Sequence, residues 1–268
     1  MSQQAASGDL VLTSVDARGV ATVTLNRPEV NNAYNREMIQ GLLAAFGKLG
    51  ADPKVRVVVI RGNGRHFQAG ADLKWIKGAR DASFEENLAV SMDTTNAVRG
   101  LNEFPKPVIA LIHGGCFGGG TGMVSACDVV IASEDAIFAI TEARWGLMAA
   151  PIFPQLNARM GVKNVRRYAL SCERFDAKRA QELGLVDEVC PTGELDAAAA
   201  PIIDAMLMSA PDAIATSKHS ILECAGLIID DARARELAEV HARKRMTPEA
   251  REGLDSFIEK RNPAWYPG

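Results

Sequence analysis

Twice in this chain a β-branched run ends in glycine and opens into a helix, and this repetition limits its possible folds more than any other feature. The first run, Val55-Arg56-Val57-Val58-Val59-Ile60, is stopped by Gly62-Asn63-Gly64. The segment His66-Phe67-Gln68-Ala69-Gly70-Ala71-Asp72-Leu73-Lys74 then opens a helix. The second run, PVIALI over residues 107–112, passes through HGGCFGGGTG into an apolar helix around Met123 and Ala126. Two more runs of the same kind follow at residues 129–132 and 136–140. Runs that are apolar on both faces are the mark of strands buried on both sides. Strands alternating with helices define the α/β class. No repeat recurs at a fixed period.

Both ends of the chain depart from this pattern. DLVLTSVDARGVATVTLNRP alternates on either side of the turn signal Asp16-Ala17-Arg18-Gly19 and predicts a hairpin. A helix is expected over residues 35–49, where Met38, Ile39, Leu42, Leu43, Phe46 and Leu49 recur at helical spacing. From about Asp196 the strand-like runs stop and ELDAAAAPIIDAMLMSA, PDAIATSKHSILECA and DDARARELAEVHARKRM all read as helices. Thr247-Pro248-Glu249 starts another, with a Thr N-cap, Pro in the first turn and an acid suited to the macrodipole; it is expected to run to about Lys260. The organisation predicted is a flexible tail over residues 1–8, a core over 9–195, and a helical region over 196–268 joined near Pro191-Thr192-Gly193.

Composition excludes several classes. With 47% hydrophobic and 24% charged residues the chain is globular rather than disordered. A net charge of −3 leaves no global field to recruit nucleic acid. The local basic run Arg243-Lys244-Arg245 has acids close by and reads as a solvated helix face. No stretch approaches the roughly 20 apolar residues of a membrane span. The first residues lack the basic and apolar regions of a secretory signal. The five cysteines are odd in number, widely spaced and without a CxxC, so reduced thiols in a cytoplasmic protein are expected. His66, His113, His219 and His241 form no close pair, and no metal site is expected.

The glycine-rich segments are not the familiar nucleotide loops. There is no GxGxxG at the right offsets, no GxxxxGK[ST] and no GxSxG. Glycines at a strand-to-helix junction let a backbone approach a ligand closely. A helix start also offers unpaired N–H groups. Two such groups beside one another make an oxyanion hole; tight turns and close helix packing are the alternative use.

FQAGADLK, then KPVIALIHGGCFGGGTGM with CDVVIAS, then FAITEARWG, in that order and spacing, resemble the crotonase (enoyl-CoA hydratase/isomerase) superfamily. LNRPEVNNAYN, ERFDAKRAQELGLVDEV and GLDSFIEKRNPAW extend the resemblance over nearly the whole chain. It implies a crotonase-type spiral of repeated ββα units with a helical C-terminal region that assembles into a homotrimer or a dimer of trimers. Ile202, Ile203, Met206, Leu207, Ile228 and Ile229 are the apolar positions expected to face neighbouring subunits. It also implies an oxyanion hole from the backbone N–H groups of Ala71 and Gly119 that holds an acyl-CoA thioester. Contacts to CoA and the acyl chain are expected from Ala69, Asp72, Leu73, Lys74, Gly118, Arg144, Trp145, Phe257 and Lys260. The family needs no metal or redox cofactor; CoA arrives as part of the substrate. No nucleic-acid or membrane partner is implied.

The usual hydratase has two glutamates. Carried onto this chain, the first falls on Gly122 and is absent, and the second falls on Glu142. Thr141 stands where proline commonly precedes that glutamate, and residues 146–153 replace the usual GxxPGxGG. The resemblance therefore implies a hydratase with Glu142 as its sole side-chain acid/base. The run TEARWGLMAAPIFPQLNARMGVKNVRRYALSCERFDA most resembles bacterial methylglutaconyl-CoA and isohexenylglutaconyl-CoA hydratases, which implies a branched or carboxylated enoyl-CoA. Arg144 is either a partner for a distal carboxylate or an ordinary surface arginine. Isomerisation, thioester hydrolysis, decarboxylation and non-catalytic acyl-CoA binding are the alternatives.

Overall fold

The computed structural model describes residues 9–79 and 82–267, so the expected flexible tail lies outside the described residues. β1 (Val11–Val15) and β2 (Val20–Leu25) form the expected antiparallel hairpin. Asp16 Oδ1 closes its turn by accepting from the amides of Arg18 and Val20. α1 (Arg36–Ala51) is capped by Asn35, whose side chain accepts from the Met38 amide, and it buries Met38, Ile39, Leu42 and Leu49. β3 (Val57–Gly62) then pairs parallel with β2. α2 (Leu73–Ala79) and α3 (Phe84–Asn102) follow, the latter opened by a Ser83–Glu86 capping box.

The chain next forms β4 (Val108–Ile112), β5 (Gly115–Phe117), α4 (Gly119–Ser125), β6 (Val129–Ser133) and β7 (Ile137–Ala139). α5 (Phe153–Ser171), β8 (Phe175–Asp176), α6 (Ala177–Glu182) and β9 (Glu188–Cys190) complete the strand-bearing part. The main sheet runs β1-β2-β3-β4-β6-β9, parallel except for β1, and a smaller sheet runs β5-β7-β8. Three main strands hand the chain to a short stretch in the second layer: β4 to β5, β6 to β7, and β3 to Gln68, which bridges to Cys116 of β5. This is the expected crotonase-type spiral of ββα units.

Alternation explains the apolar runs over residues 57–60 of β3, 108–112 of β4 and 129–132 of β6. Val58, Ile60, Val108, Ala110, Ile112 and Val130 feed one core; Val57, Val59, Ile109, Leu111 and Ile131 feed another on the opposite face. Each valine, isoleucine or leucine among them contributes about 1.5–3 kcal/mol by leaving water.

The C-terminal helices are α7 (Leu195–Met208), α8 (Pro211–Cys224), α9 (Asp231–Arg245) and α10 (Pro248–Ile258). They correct the subunit-interface expectation for most of its residues. Ile203 is buried in the second core, with Ile202, Met206 and Leu207 packed against it, so α7 covers this chain's own sheet. Ile229 is buried beside Leu237 of α9. No single helix among the described residues is long and apolar enough to cross a membrane.

Candidate active site

The two glycine loops are laced together by their backbones. Phe67 N–H donates to His113 O at 3.0 Å, Gln68 N–H to Gly115 O at 3.1 Å, and Phe117 N–H to Gln68 O at 2.9 Å. The Gly115 amide donates to His66 Nδ1 at 2.7 Å. Two of the glycines are required by conformation. Gly70 has φ +87°, and a Cβ there would sit 3.2 Å from Phe117 O. Gly118 has φ +52°, and its Cβ would sit 3.1 Å from Glu142 Oε1.

Around the expected donor pair the amides are spoken for. Gly70 N–H donates to Gln68 Oε1 at 2.8 Å. Asp72 N–H donates to Tyr34 O at 2.8 Å, and Gly118 N–H to Ala139 O at 2.9 Å. Between them, the N–H groups of Ala71 and Gly119 have no acceptor among the described residues. Gly119 opens α4, where the first amides of a helix have no intrahelical partner.

Glu142 stands on the single turn of 3-10 helix Glu142–Trp145 that follows β7, closed by Gly146 at φ 67°. Gly253 of α10 packs against this turn so closely that a Cβ would lie 2.3 Å from Trp145 O. The residue is half-buried as a whole, but Oε2 is shut off from solvent and has no partner among the described residues. Burial raises its pKa to about 7, against a smaller opposing effect of backbone hydrogen bonds. A carboxyl poised there can both take and return a proton near neutral pH.

Gly122 marks where a second carboxylate would stand. A Cβ on it would lie 2.0 Å from Ile152 Cγ2, so Ile152 fills that space. Asp72 is otherwise committed: Oδ2 pairs with Arg27 Nη1 at 2.8 Å, while Oδ1 accepts from the amides of Lys74 and Trp75. Burial opposes its charge most strongly, yet these bonds together hold its pKa below the ordinary value.

All of this surrounds one cavity of about 890 Å³. Ala69, Ala71, Asp72, Leu73, Lys74, Gly118, Gly119, Glu142, Trp145, Phe257 and Lys260 line it, as anticipated from the sequence. Phe257 lies edge-on to Trp145, with ring centroids 4.7 Å apart, so α10 brings its residues to the cavity of its own chain. Arg144 does not line the cavity. Its exposed side chain reaches back toward the carbonyls of Ser171 and Cys172 at 3.4 and 3.5 Å, which makes it a surface arginine rather than a group facing the acyl chain.

The cavity also holds residues that sequence reasoning passed over: Tyr34, Trp75, His241 and Arg245. Arg245 corrects the reading of Arg243-Lys244-Arg245 as a solvated face. Arg243 is exposed, but Arg245 is buried on the side of α9 that carries Ala234, Leu237, Ala238 and Ala242. The signal was there in the helical spacing from position 234 through 238 and 241 to 245.

Two loop amides without acceptors and a carboxyl oxygen buried without a partner, all on one cavity, suit an enzyme that polarises a carbonyl and moves a proton next to it. Over residues 16–267 the chain matches the family model described as enoyl-CoA hydratase/isomerase, and it belongs to that family. It is 31% identical over 261 residues to the mevalonyl-coenzyme A hydratase sidH of Aspergillus fumigatus, covering 96% of this chain and 94% of the relative. It is 30% identical over 247 residues to the 2,3-dehydroadipyl-CoA hydratase of Escherichia coli, covering 91% and 94%. A solved enoyl-CoA hydratase from Mycobacterium avium superposes with a TM-score of 0.85 at 34% identity, covering 96% of this chain and 99% of that one. The chain is an enoyl-CoA hydratase-like enzyme acting on acyl-CoA.

Proposed function

We propose that this enzyme adds water across the double bond of an enoyl-CoA with Glu142 as its sole side-chain acid/base. The observation that carries this reading is Glu142 Oε2, buried without a partner on a carboxyl beside Gly118, with Ile152 filling the space of a second carboxylate at Gly122. The thioester oxygen accepts from the Ala71 and Gly119 amides. Glu142 takes a proton from water as its oxygen bonds to Cβ, and the negative charge passes to the thioester oxygen as an enolate. Glu142 then returns that proton to Cα on the same face, so one carboxyl serves both transfers. The CoA moiety lies along Lys74, Phe257 and Lys260, exposed at the cavity's edge, with Ala69, Leu73 and Trp145 beside the pantetheine and acyl chain. No cofactor beyond the CoA of the substrate takes part. The rival carboxylates are poorly suited: Asp72 is paired with Arg27, and Glu134 is exposed and away from the cavity.

The acyl group is branched or carboxylated, of the methylglutaconyl or isohexenylglutaconyl kind. The altered loop over residues 146–153 supports this, as it contributes Leu147, Met148, Ala149, Pro151 and Ile152 to the lining. Two relatives named for mevalonyl-CoA and 2,3-dehydroadipyl-CoA, neither for crotonyl-CoA, support it further. The assembly is a homotrimer or a dimer of trimers within the cytoplasm. α8 buries none of its residues, and Ile221 and Met208 are 67% and 89% exposed, which leaves this part of the C-terminal region for a neighbouring subunit.

Mass spectrometry of products from crotonyl-CoA and methylglutaconyl-type substrates tests the reaction. A gain of water is expected, with the higher kcat/KM for the branched or carboxylated substrates. A shifted double bond without gain of mass, or free CoA, would assign a different reaction of the family. Equal or better kcat/KM for crotonyl-CoA would defeat the acyl-group reading.

A further inference from the structure

Arg245 ends α9 at 5% exposure and lines the cavity. Its Nη1 reaches Ser91 Oγ at 3.4 Å, which is long for a hydrogen bond. Nε and Nη2 have no partner among the described residues. These two nitrogens form the side-on fork of the guanidinium, whose spacing matches the two oxygens of a carboxylate. Cζ lies 5.9 Å from the Trp75 ring centroid, a cation–π contact that leaves the charge uncompensated.

His241, one helical turn earlier, lines the same cavity, and its Nδ1 is likewise shut off without a partner. Burial lowers its pKa to about 3, so the ring is neutral and can offer an N–H rather than a second charge. Burial also works against the charge on Arg245, with only the Tyr34 phenol acting the other way. An arginine does not shed its proton, and a cation buried without an anion is strongly unfavourable. The free enzyme is therefore built to receive a negative charge here.

Its place in the cavity says which one. Tyr34 packs against Gly119, whose Cβ would lie 2.6 Å from the ring, and meets Trp75 edge-on with centroids 6.2 Å apart. Trp75 in turn faces Arg245, so the Tyr34 and Trp75 rings lead from the Gly119 amide to the guanidinium. An acyl chain whose thioester sits at Ala71 and Gly119 and which runs on past Tyr34 carries its far end toward Arg245. The phosphates of CoA have exposed cations at the cavity's edge, Lys74, Arg174 and Lys260, and do not need this buried one.

We propose that Arg245, with His241 beside it, is the subsite for a carboxylate at the far end of the acyl chain, so that the enzyme's substrates are the enoyl-CoAs of dicarboxylic acids. This rests on the enoyl-CoA reading above and gives the acyl pocket a recognising group.

The test uses pairs of 2,3-enoyl-CoAs of increasing chain length that differ only in a terminal carboxylate or its methyl ester. At one chain length the wild type should favour the acid by about 10² in kcat/KM, the scale of a desolvated charge pair against an unpaired one. Arg245→Met should erase or reverse that preference. Calorimetry of saturated ω-carboxyacyl-CoA against its methyl ester provides a readout independent of hydration, with a similar ratio in Kd. If the acid binds better but no enoyl-CoA is hydrated, the hydratase reading falls and the carboxylate subsite stands. If hydration proceeds while acid and ester are bound and turned over equally at every length, the subsite is refuted and the hydratase reading stands.

Discussion

Around Ala71 and Gly119 the polar groups that face the cavity belong mostly to the backbone; around α9 they belong to side chains. The amides of Ala71 and Gly119 are held by loops whose conformation depends on Gly70 and Gly118. Arg245 and His241 depend on which face of a helix packs against α3, far away in sequence. The first kind of site tolerates little change in its glycines but is indifferent to most side chains. The second can be retuned by single substitutions, which would let one fold serve different acyl groups. Glu142 joins the two, as the one side chain that the proposed chemistry requires.

Changes in the backbone-built part should have the largest effects. Gly122→Glu, which restores the missing carboxylate by sequence, should fail to add a second catalytic group. Its Cβ would lie 2.0 Å from Ile152 Cγ2, and overpacking alone costs about 1–3 kcal/mol before the buried charge is counted. Chemical denaturation should show the loss, and adding Ile152→Ala should recover part of it. A Gly122→Glu variant as stable and active as wild type would mean that Ile152 yields freely. Gly70→Ala should cost less, on the order of 1–3 kcal/mol for a non-glycine at φ +87°, with kcat falling along with stability because the Ala71 amide moves. An unchanged kcat in that variant would detach the Gly70 conformation from the chemistry.

The titration of Glu142 should be visible in rate and in stability. In the proposed reaction its carboxylate is the base, so kcat/KM should rise tenfold per pH unit below about 7 and level off above it. A rate flat from pH 5 to 8 would break the assignment. The smallest change belongs to the cavity's edge: Lys74→Ala should raise KM only a few-fold, as expected for an exposed ion contact of about 0.2–1 kcal/mol, with kcat retained.

The same contrast explains what could be read from sequence. The glycine loops are local and were legible from their setting between strand and helix, whereas Ala71, Gly119 and Glu142 were singled out only through the family resemblance. The β-branched runs revealed the main sheet because each alternate residue feeds one of two cores. The short strands β5, β8 and β9 were not legible: β5 lies inside the glycine loop, and β8 and β9 each include an acid in their two or three residues, whereas the three of β7 stand in the apolar run 136–140. Nor were α3 and α5: α3 buries Asn87, Ser91, Thr95 and Asn102 among its apolar residues, which blurs the stripe, and Gly161 at φ 72° interrupts α5. Arg245 was misread because charge dominated the reading of a position whose helical spacing pointed inward. Ile202, Ile203, Met206 and Leu207 were assigned to a neighbouring subunit because the open face of the main sheet cannot be seen in the sequence.

The most direct measurement is Glu142→Gln at pH 8, with turnover and thermal unfolding measured on the same preparation. Gln keeps the shape and removes the base, so kcat should fall by at least about 10² while acyl-CoA binding persists. The stability should move the opposite way. Because burial raises the folded pKa above the unfolded one, the favourable contribution of this carboxyl is present below the unfolded value and is lost as pH rises through about 7. The variant should therefore melt higher than wild type at pH 8 and show no such gain at pH 4. Wild-type turnover in the folded variant, with no gain in Tm at pH 8, would show that the proton is carried by another group and that Glu142 is not the buried base.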